Sequence, residues 1–200
     1  MPAPIDFYFD FASPYGYIAS EKIDTIAAKY GRTVAWRAML LGPAFKMAGT
    51  MPVLGMPLKG EYFKIDFERS ARYHGVPFKL PSPFPVPAVI AARAFLSVSD
   101  RDPDKAKELG HAIYRAYFAD GRNIAEESVV LDCAESVGLE RSELGKAAND
   151  IDIKNRLRAL VDAAIARGVF GSPFFFIDGE PFWGSDRLPQ IEKWLATGGF

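Results

Sequence analysis

The sequence predicts an α/β chain in which a β-α-β start and a β-β-α end enclose a large all-helical insertion. Three observations carry this reading. Strand and helix patterns alternate over residues 1–40. Residues 61–168 show helical periodicity, interrupted only by a proline-rich stretch. Residues 169–200 return to strand patterning around Asp178-Gly179 and finish in a helix. The expected organisation is one domain made of 1–40 and 169–200, with 41–168 as a loop and helical insertion domain.

Ile5–Phe11 reads as a strand, rich in aromatics, with Asp6 and Asp10 making one face polar near its ends. Pro14–Tyr30 reads as a helix. The Ser13 hydroxyl can cap its first free N–H groups, and proline suits the first helical position. Ile18, Ile23, Ile26 and Ala27 form its apolar side, and Gly31 stops it. Thr33–Met39 is the second strand. A strand-helix-strand run this short implies a right-handed crossover and a parallel pair. Leu41–Gly60 breaks the pattern with Gly42, Pro43, Gly49, Pro52, Gly55, Pro57 and Gly60, and with Met47, Met51 and Met56 between them. It is expected to be an irregular or mobile loop over something apolar, with a disordered connector as the alternative.

Helices are then expected over Glu61–His74, Ala88–Asp100, Pro103–Phe118, Glu126–Val137, Arg141–Asn149 and Ile153–Gly168, with Phe78–Pro87 extended. Pro173–Ile177 and Glu180–Trp183 flank Asp178-Gly179 as a two-residue hairpin. Pro181 lacks the N–H that a central strand needs, which argues for an edge. Asp186 is a candidate N-cap for a last helix, Arg187–Ala196. This order is the thioredoxin arrangement: a thioredoxin-like βαβ…ββα domain with an all-α insertion.

Composition narrows the function classes. The chain of 200 residues is 49% hydrophobic and 14% aromatic, enough for a core and an aromatic-lined pocket. Its net charge of −1 gives no reason to expect nucleic acid or an anionic membrane as a partner. No apolar run reaches the roughly 18 residues of a membrane span, and MPAPIDF lacks a secretory pattern. One cysteine, Cys133, excludes an internal disulfide and fits a reducing compartment, so a cytoplasmic location is expected.

The chemistry concentrates at the first strand-helix junction. Unsatisfied N–H donors and the positive end of a helix dipole meet there and would stabilise an anion, including a thiolate. A redox corner of this fold would read C-x-x-C; here it reads Ser13, Pro14, Tyr15, Gly16. Thiol–disulfide exchange at this corner is therefore excluded. A serine hydroxyl could instead donate to a thiolate carried by a small molecule, while the simplest reading of Ser13 remains a helix cap. Gly171-Ser172-Pro173 precedes a strand. A cis bond at Pro173 is expected, leaving the Ser172 backbone free to pair with an extended peptide. Trp183-Gly184-Ser185-Asp186-Arg187 forms a short helix start near the same edge, able to receive a charged group or to serve only as a cap with a packing tryptophan.

Five segments resemble one family: D-F-Y-F-D-F-A-S-P-Y-G-Y at 6–17, L-G-P-A-F-K at 41–46, R-S-A-R-Y-H-G-V-P-F at 69–78, V-F-G-S-P at 169–173 and F-W-G-S-D-R-L at 182–188. The chain is similar to the 2-hydroxychromene-2-carboxylate isomerases, of the DsbA-like thioredoxin superfamily and close to kappa-class glutathione transferases. The resemblance implies a glutathione-dependent cis-trans isomerase acting on 2-hydroxychromene-2-carboxylate or trans-o-hydroxybenzylidenepyruvate-type aromatic catabolites. It implies that Ser13 holds the glutathione sulfur as thiolate. By the same resemblance Ser172 and Pro173 present backbone to the glutathione cysteine, and Trp183, Gly184, Ser185 and Asp186 bind the tripeptide, with Asp186 on the γ-glutamyl amine. Lys46 and Thr50 fall on the substrate side, where Tyr62 and Phe84 could flank an aromatic ring. The resemblance also implies a homodimer.

The chain departs from the family pattern where Gly49-Thr50 replace an asparagine, and where Pro87-Ala88 replace Asn-Ser; both lie on the substrate side. His74 and His111 match no catalytic position and read as surface or packing histidines. Two rival readings use the same fold: a kappa-like glutathione transferase or peroxidase, and a non-catalytic binding module.

Overall fold

The structure is a computed structural model and describes residues 3–200. Its sheet has the strand order β2-β1-β3-β4. β1 (Ile5–Phe9) lies parallel to β2 (Val34–Ala38), with Phe7 opposite Trp36. β3 (Phe174–Ile177) runs antiparallel to β1, with Phe175 opposite Phe7. β4 (Glu180–Trp183) closes the edge against β3, with Pro181 opposite Phe176. The expected edge proline is on an edge strand. The hairpin turn places Asp178 at φ 53° and Gly179 at φ 94°, the double positive φ that a two-residue hairpin requires. Arg32 forks onto the Asp178 carboxylate at 2.8 and 2.9 Å.

β1 alternates buried and half-buried residues, as a strand with one fully covered face does. The crossover helix α1 (Pro14–Lys29) returns the chain to β2. The inserted helices α4 (Val89–Ser99) and α5 (Pro103–Phe118) pack on the aromatic face. Phe9 meets Phe95 and Tyr114, and Trp36 stacks on Phe95. A Cβ on Gly110 would lie 3.1 Å from the Trp36 ring, so α5 approaches β2 as closely as a glycine allows. One apolar cluster runs from the sheet through α5 to Val130, Leu144 and Leu157 on α6 (Glu127–Ser136), α7 (Arg141–Asn149) and α8 (Ile151–Ala166). Among the described residues no helix is long and apolar enough to cross a membrane.

Two segments differ from the sequence reading. Residues 41–60 are not an irregular loop throughout: Leu41–Ala48 form helix α2, Val53–Gly55 a 3₁₀ turn, and α3 (Lys59–His74) begins before Gly60. The Asp10 carboxylate accepts the Leu41 N–H at 2.7 Å, a cap supplied from another part of the chain. Pro43 falls in the first turn, where an N–H has no intrahelical partner, and Gly49 at φ 64° ends the helix. The residues that read as breakers are its start and stop. At the other end Asp186 does not cap the last helix. It sits inside a 3₁₀ turn, Ser185–Arg187, and α9 (Leu188–Thr197) starts after it with Pro189 in its first turn.

Candidate active site

Ser13 is the N-cap of α1 and is nearly buried. Its N–H donates to Asp10 O at 2.9 Å. Its Oγ accepts the Gly16 N–H at 3.0 Å and donates to the Ser172 carbonyl at 2.9 Å. Ser172 answers through its own hydroxyl, which accepts the Asp10 N–H at 3.0 Å. The Ser172–Pro173 peptide is cis, as are Ser82–Pro83 and Phe84–Pro85. Cap and cis loop are thus bonded to each other across the end of the sheet.

Behind this pair stands Asp10. Its two oxygens accept N–H groups from Ala12 and Leu41 at 2.8 and 2.7 Å. Burial pushes its pKa up, and those two backbone donors partly offset the rise. Tyr114 donates to Asp10 O at 3.0 Å, and burial holds its hydroxyl protonated. Gly16 is required by this packing. A Cβ there would lie 2.7 Å from the Tyr114 hydroxyl and 2.8 Å from Ser172 Oγ. The first turn of α1 carries no acidic side chain, so its positive end is uncompensated from within the helix.

The segment 183–186 adjoins the cis loop. Gly184 N–H donates to Pro173 O at 3.0 Å. The half-exposed Trp183 indole lies over Gly171, where a Cβ would be 2.3 Å from Nε1, and Phe170 packs edge-on at 4.7 Å. Ser185 is buried. Asp186 is largely exposed, folds back over Gly184, and pairs with Arg187 at 3.1 Å. The 3₁₀ turn that carries it packs against α1.

On the other flank, Tyr15 donates to Asp66 of α3 at 2.5 Å. Burial first, and Asp66 second, raise the Tyr15 pKa far above its usual range, so it remains a donor. Tyr62 donates to the second Asp66 oxygen at 3.3 Å, with the Arg69 guanidinium over its ring at 5.8 Å. Phe84 packs against Phe67, Tyr117 and Phe118, and Phe67 in turn meets Tyr15.

The structure therefore brings together Ser13, Ser172, Pro173, Trp183, Gly184, Ser185 and Asp186, with Tyr62 and Phe84 reaching the same corner through Tyr15 and Phe67. Lys46 and Thr50 are exposed, on and after α2. The Leu41–Asp10 bond and the burial of Ala44 in the core tie that helix to the corner, and Lys46 makes no ion pair among the described residues. Sequence reading missed Asp10, Gly16, Tyr114 and the Tyr15–Asp66 pair as parts of the site. An acid at the end of an aromatic strand was the one available signal for Asp10. Tyr114 is indistinguishable by pattern from any core aromatic of α5.

The DSBA-like thioredoxin domain family matches residues 4–196. The 2-hydroxychromene-2-carboxylate isomerase of Sphingobium xenophagum is 30% identical over 98% of this chain and 99% of its own length. Glutathione S-transferase kappa 2 of Caenorhabditis elegans is 29% identical over 96% of this chain and 91% of its own. A solved 2-hydroxychromene-2-carboxylate isomerase superposes with a TM-score of 0.87 at 28% identity, covering 97% of this chain and 95% of the other. Serine and glycine in place of the two thiols at the corner, a cis-proline loop bonded to it, and kinship along the full length agree, and the chain belongs to the DSBA-like thioredoxin family and, within it, to the 2-hydroxychromene-2-carboxylate isomerases.

Proposed function

We propose that this isomerase uses glutathione and acts on 2-hydroxychromene-2-carboxylate or trans-o-hydroxybenzylidenepyruvate-type aromatic acids. The observation that carries the reading is the Ser13 hydroxyl, which accepts from Gly16 N–H while donating to Ser172 O at 2.9 Å. That hydroxyl is a donor already fixed at the positive end of α1. Rotation about its C–O bond redirects the proton from the carbonyl to a sulfur. The fit of an extended thiol tripeptide is supported by the half-exposed Trp183 and by the exposed carboxylate of Asp186 beside the corner. The kinship with a kappa-class glutathione transferase supports the same choice.

In this reading Ser13 holds the sulfur as thiolate, because a donated hydrogen bond and the helix dipole both favour the charged form. The Ser172 backbone beside Pro173 pairs with the cysteine of the peptide, and Trp183–Asp186 hold its γ-glutamyl end. Glutathione, when bound, supplies a nucleophile that adds reversibly to a conjugated carbon and so lets a double bond rotate. Lys46 holds the substrate carboxylate, Thr50 lies beside it, and Tyr62 and Phe84 flank the ring. Tyr15, kept protonated by burial and Asp66, holds α3 against α1 so that this wall is fixed. Asp10 keeps the start of α2, and with it Lys46, registered to the corner. A homodimer in the cytoplasm completes the proposal.

The test is turnover of trans-o-hydroxybenzylidenepyruvate with and without reduced glutathione. Glutathione-dependent isomerisation is expected; turnover independent of glutathione would sink the reading. A kappa-like transferase or peroxidase uses the same corner with a different acceptor. It is distinguished by conjugation of chloronitrobenzene or reduction of hydroperoxides in place of isomerisation.

A further inference from the structure

Away from the corner, α2, α4 and α8 line a cavity of about 190 Å³ that opens to solvent on one side. Leu40 and Pro43 reach it from the start of α2, Val89 and Arg93 from one face of α4, and Lys154, Leu157, Arg158, Val161 and Asp162 from one face of α8. It shares no lining residue with the Ser13 corner. Leu157 and Val161 are almost fully buried and form its floor. Arg93 is half-buried, and its Nε meets no hydrogen-bond partner among the described residues. Lys154 and Arg158 are exposed, at the rim.

The charge arrangement is unusual for this chain. Among the described residues, Arg93, Arg101 and Arg158 are the arginines that make no ion pair, and two of the three line this cavity. Three cations face it against one acid, Asp162, which makes no ion pair with any of them. Arg93 lines the cavity with a guanidinium that makes no ion pair among the described residues, and a carboxylate would supply its charge-assisted partner. The remaining wall is apolar, and an apolar cavity of about 150 Å³ already accommodates a benzene ring.

We infer that this cavity is a second ligand site, separate from the corner, for a small aromatic monocarboxylate. The carboxylate meets Arg93 and the rim cations, and the ring lies on Leu157, Val161 and Val89. Leu40 and Pro43 flank the Leu41 N–H that Asp10 holds, so an occupant bears on the first turn of α2. The inference stands apart from the glutathione reading.

Titration of the intact protein with sodium benzoate, toluene and inorganic phosphate tests it, with hydrogen exchange to locate the ligand. One benzoate is expected to bind per chain and to protect 41–48 and 154–162. Toluene and phosphate should each bind at least tenfold more weakly. Arg93→Met should weaken benzoate at least tenfold and Arg93→Lys less. Arg158→Gln, at the exposed rim, should weaken it at least threefold even if the Arg93 variants do not fold. Absence of benzoate binding, an unchanged affinity in Arg93→Met or in Arg158→Gln, phosphate or toluene matching benzoate, or displacement of benzoate by reduced glutathione would each overturn the inference.

Discussion

The hydroxyl of Ser13 donates to the carbonyl of Ser172 at 2.9 Å, joining residues 159 positions apart. The bond locks the start of α1 to the cis-proline loop, and Asp10 seals it from behind by donating its N–H to Ser172 Oγ. A single side chain is therefore both a helix cap and a poised donor. Glycine replaces serine as an N-cap at a cost of only a few tenths of a kcal/mol, but it also deletes the bond to the Ser172 carbonyl, worth about 1 kcal/mol.

Ser13→Gly should lose about 1 kcal/mol, or about 2–4 °C in melting temperature, with the bond to the Ser172 carbonyl, and remove most turnover, at least a hundredfold. Ser13→Ala should lose as much turnover and about 1 kcal/mol more stability, because alanine also fails as a cap. Thermal melts and initial rates with saturating glutathione check both. Retained turnover in Ser13→Gly would reduce Ser13 to a cap.

Asp186→Asn should weaken glutathione about tenfold while barely changing stability. The side chain is 70% exposed and, among the described residues, pairs only with the adjacent Arg187, and exposed pairs contribute little. Calorimetric titration against a melting curve shows whether affinity moves alone.

Gly16→Ala should destabilise the protein by about 1–3 kcal/mol, although alanine is the better helix former. The added methyl would meet the buried Tyr114 hydroxyl and Ser172 Oγ. A denaturant midpoint at or above that of wild type would show that the corner can relax.

Asp10→Ala leaves the Leu41 and Ala12 N–H groups without their acceptor, at a net cost of about 2 kcal/mol or about 4–8 °C in melting temperature. The deficit should depend on pH. Burial raises the folded pKa of Asp10 above its ordinary 3.8, so its stabilisation is complete below that value and declines as pH rises through the folded pKa. The difference between wild type and Asp10→Ala, measured by urea unfolding, should shrink over that interval.

Glu21 gives the opposite sign. Burial pushes it up, but hydrogen bonds from His111 and Arg115 more than reverse this and leave it at about 2, against an ordinary 4.5. Its contribution, on the order of 1 kcal/mol for a partly exposed network, is present above pH 4.5 and lost as pH falls towards 2. Glu21→Gln should unfold more easily than wild type at neutral pH and converge with it in acid.

Much of this architecture was legible without coordinates, and for local reasons. The Asp178-Gly179 hairpin follows from the positive φ that its two residues tolerate, and the edge position of β4 from the N–H that Pro181 lacks. The boundaries of α5 and α7 follow from periodicity and caps within the segments themselves. The absence of thiols at Ser13 and Gly16 excludes redox chemistry at the corner on inspection. What only the tertiary structure decided depends on atoms that meet through space. Helix α2 was unreadable because its cap, Asp10, lies 31 residues upstream. Tyr114 and Gly16 become parts of the corner only once α5 packs on α1. Arg93 joins Lys154 and Arg158 only where α4 meets α8. Short-range backbone preferences write themselves into neighbouring residues, whereas the partners of a buried polar group are set by the packing of distant elements.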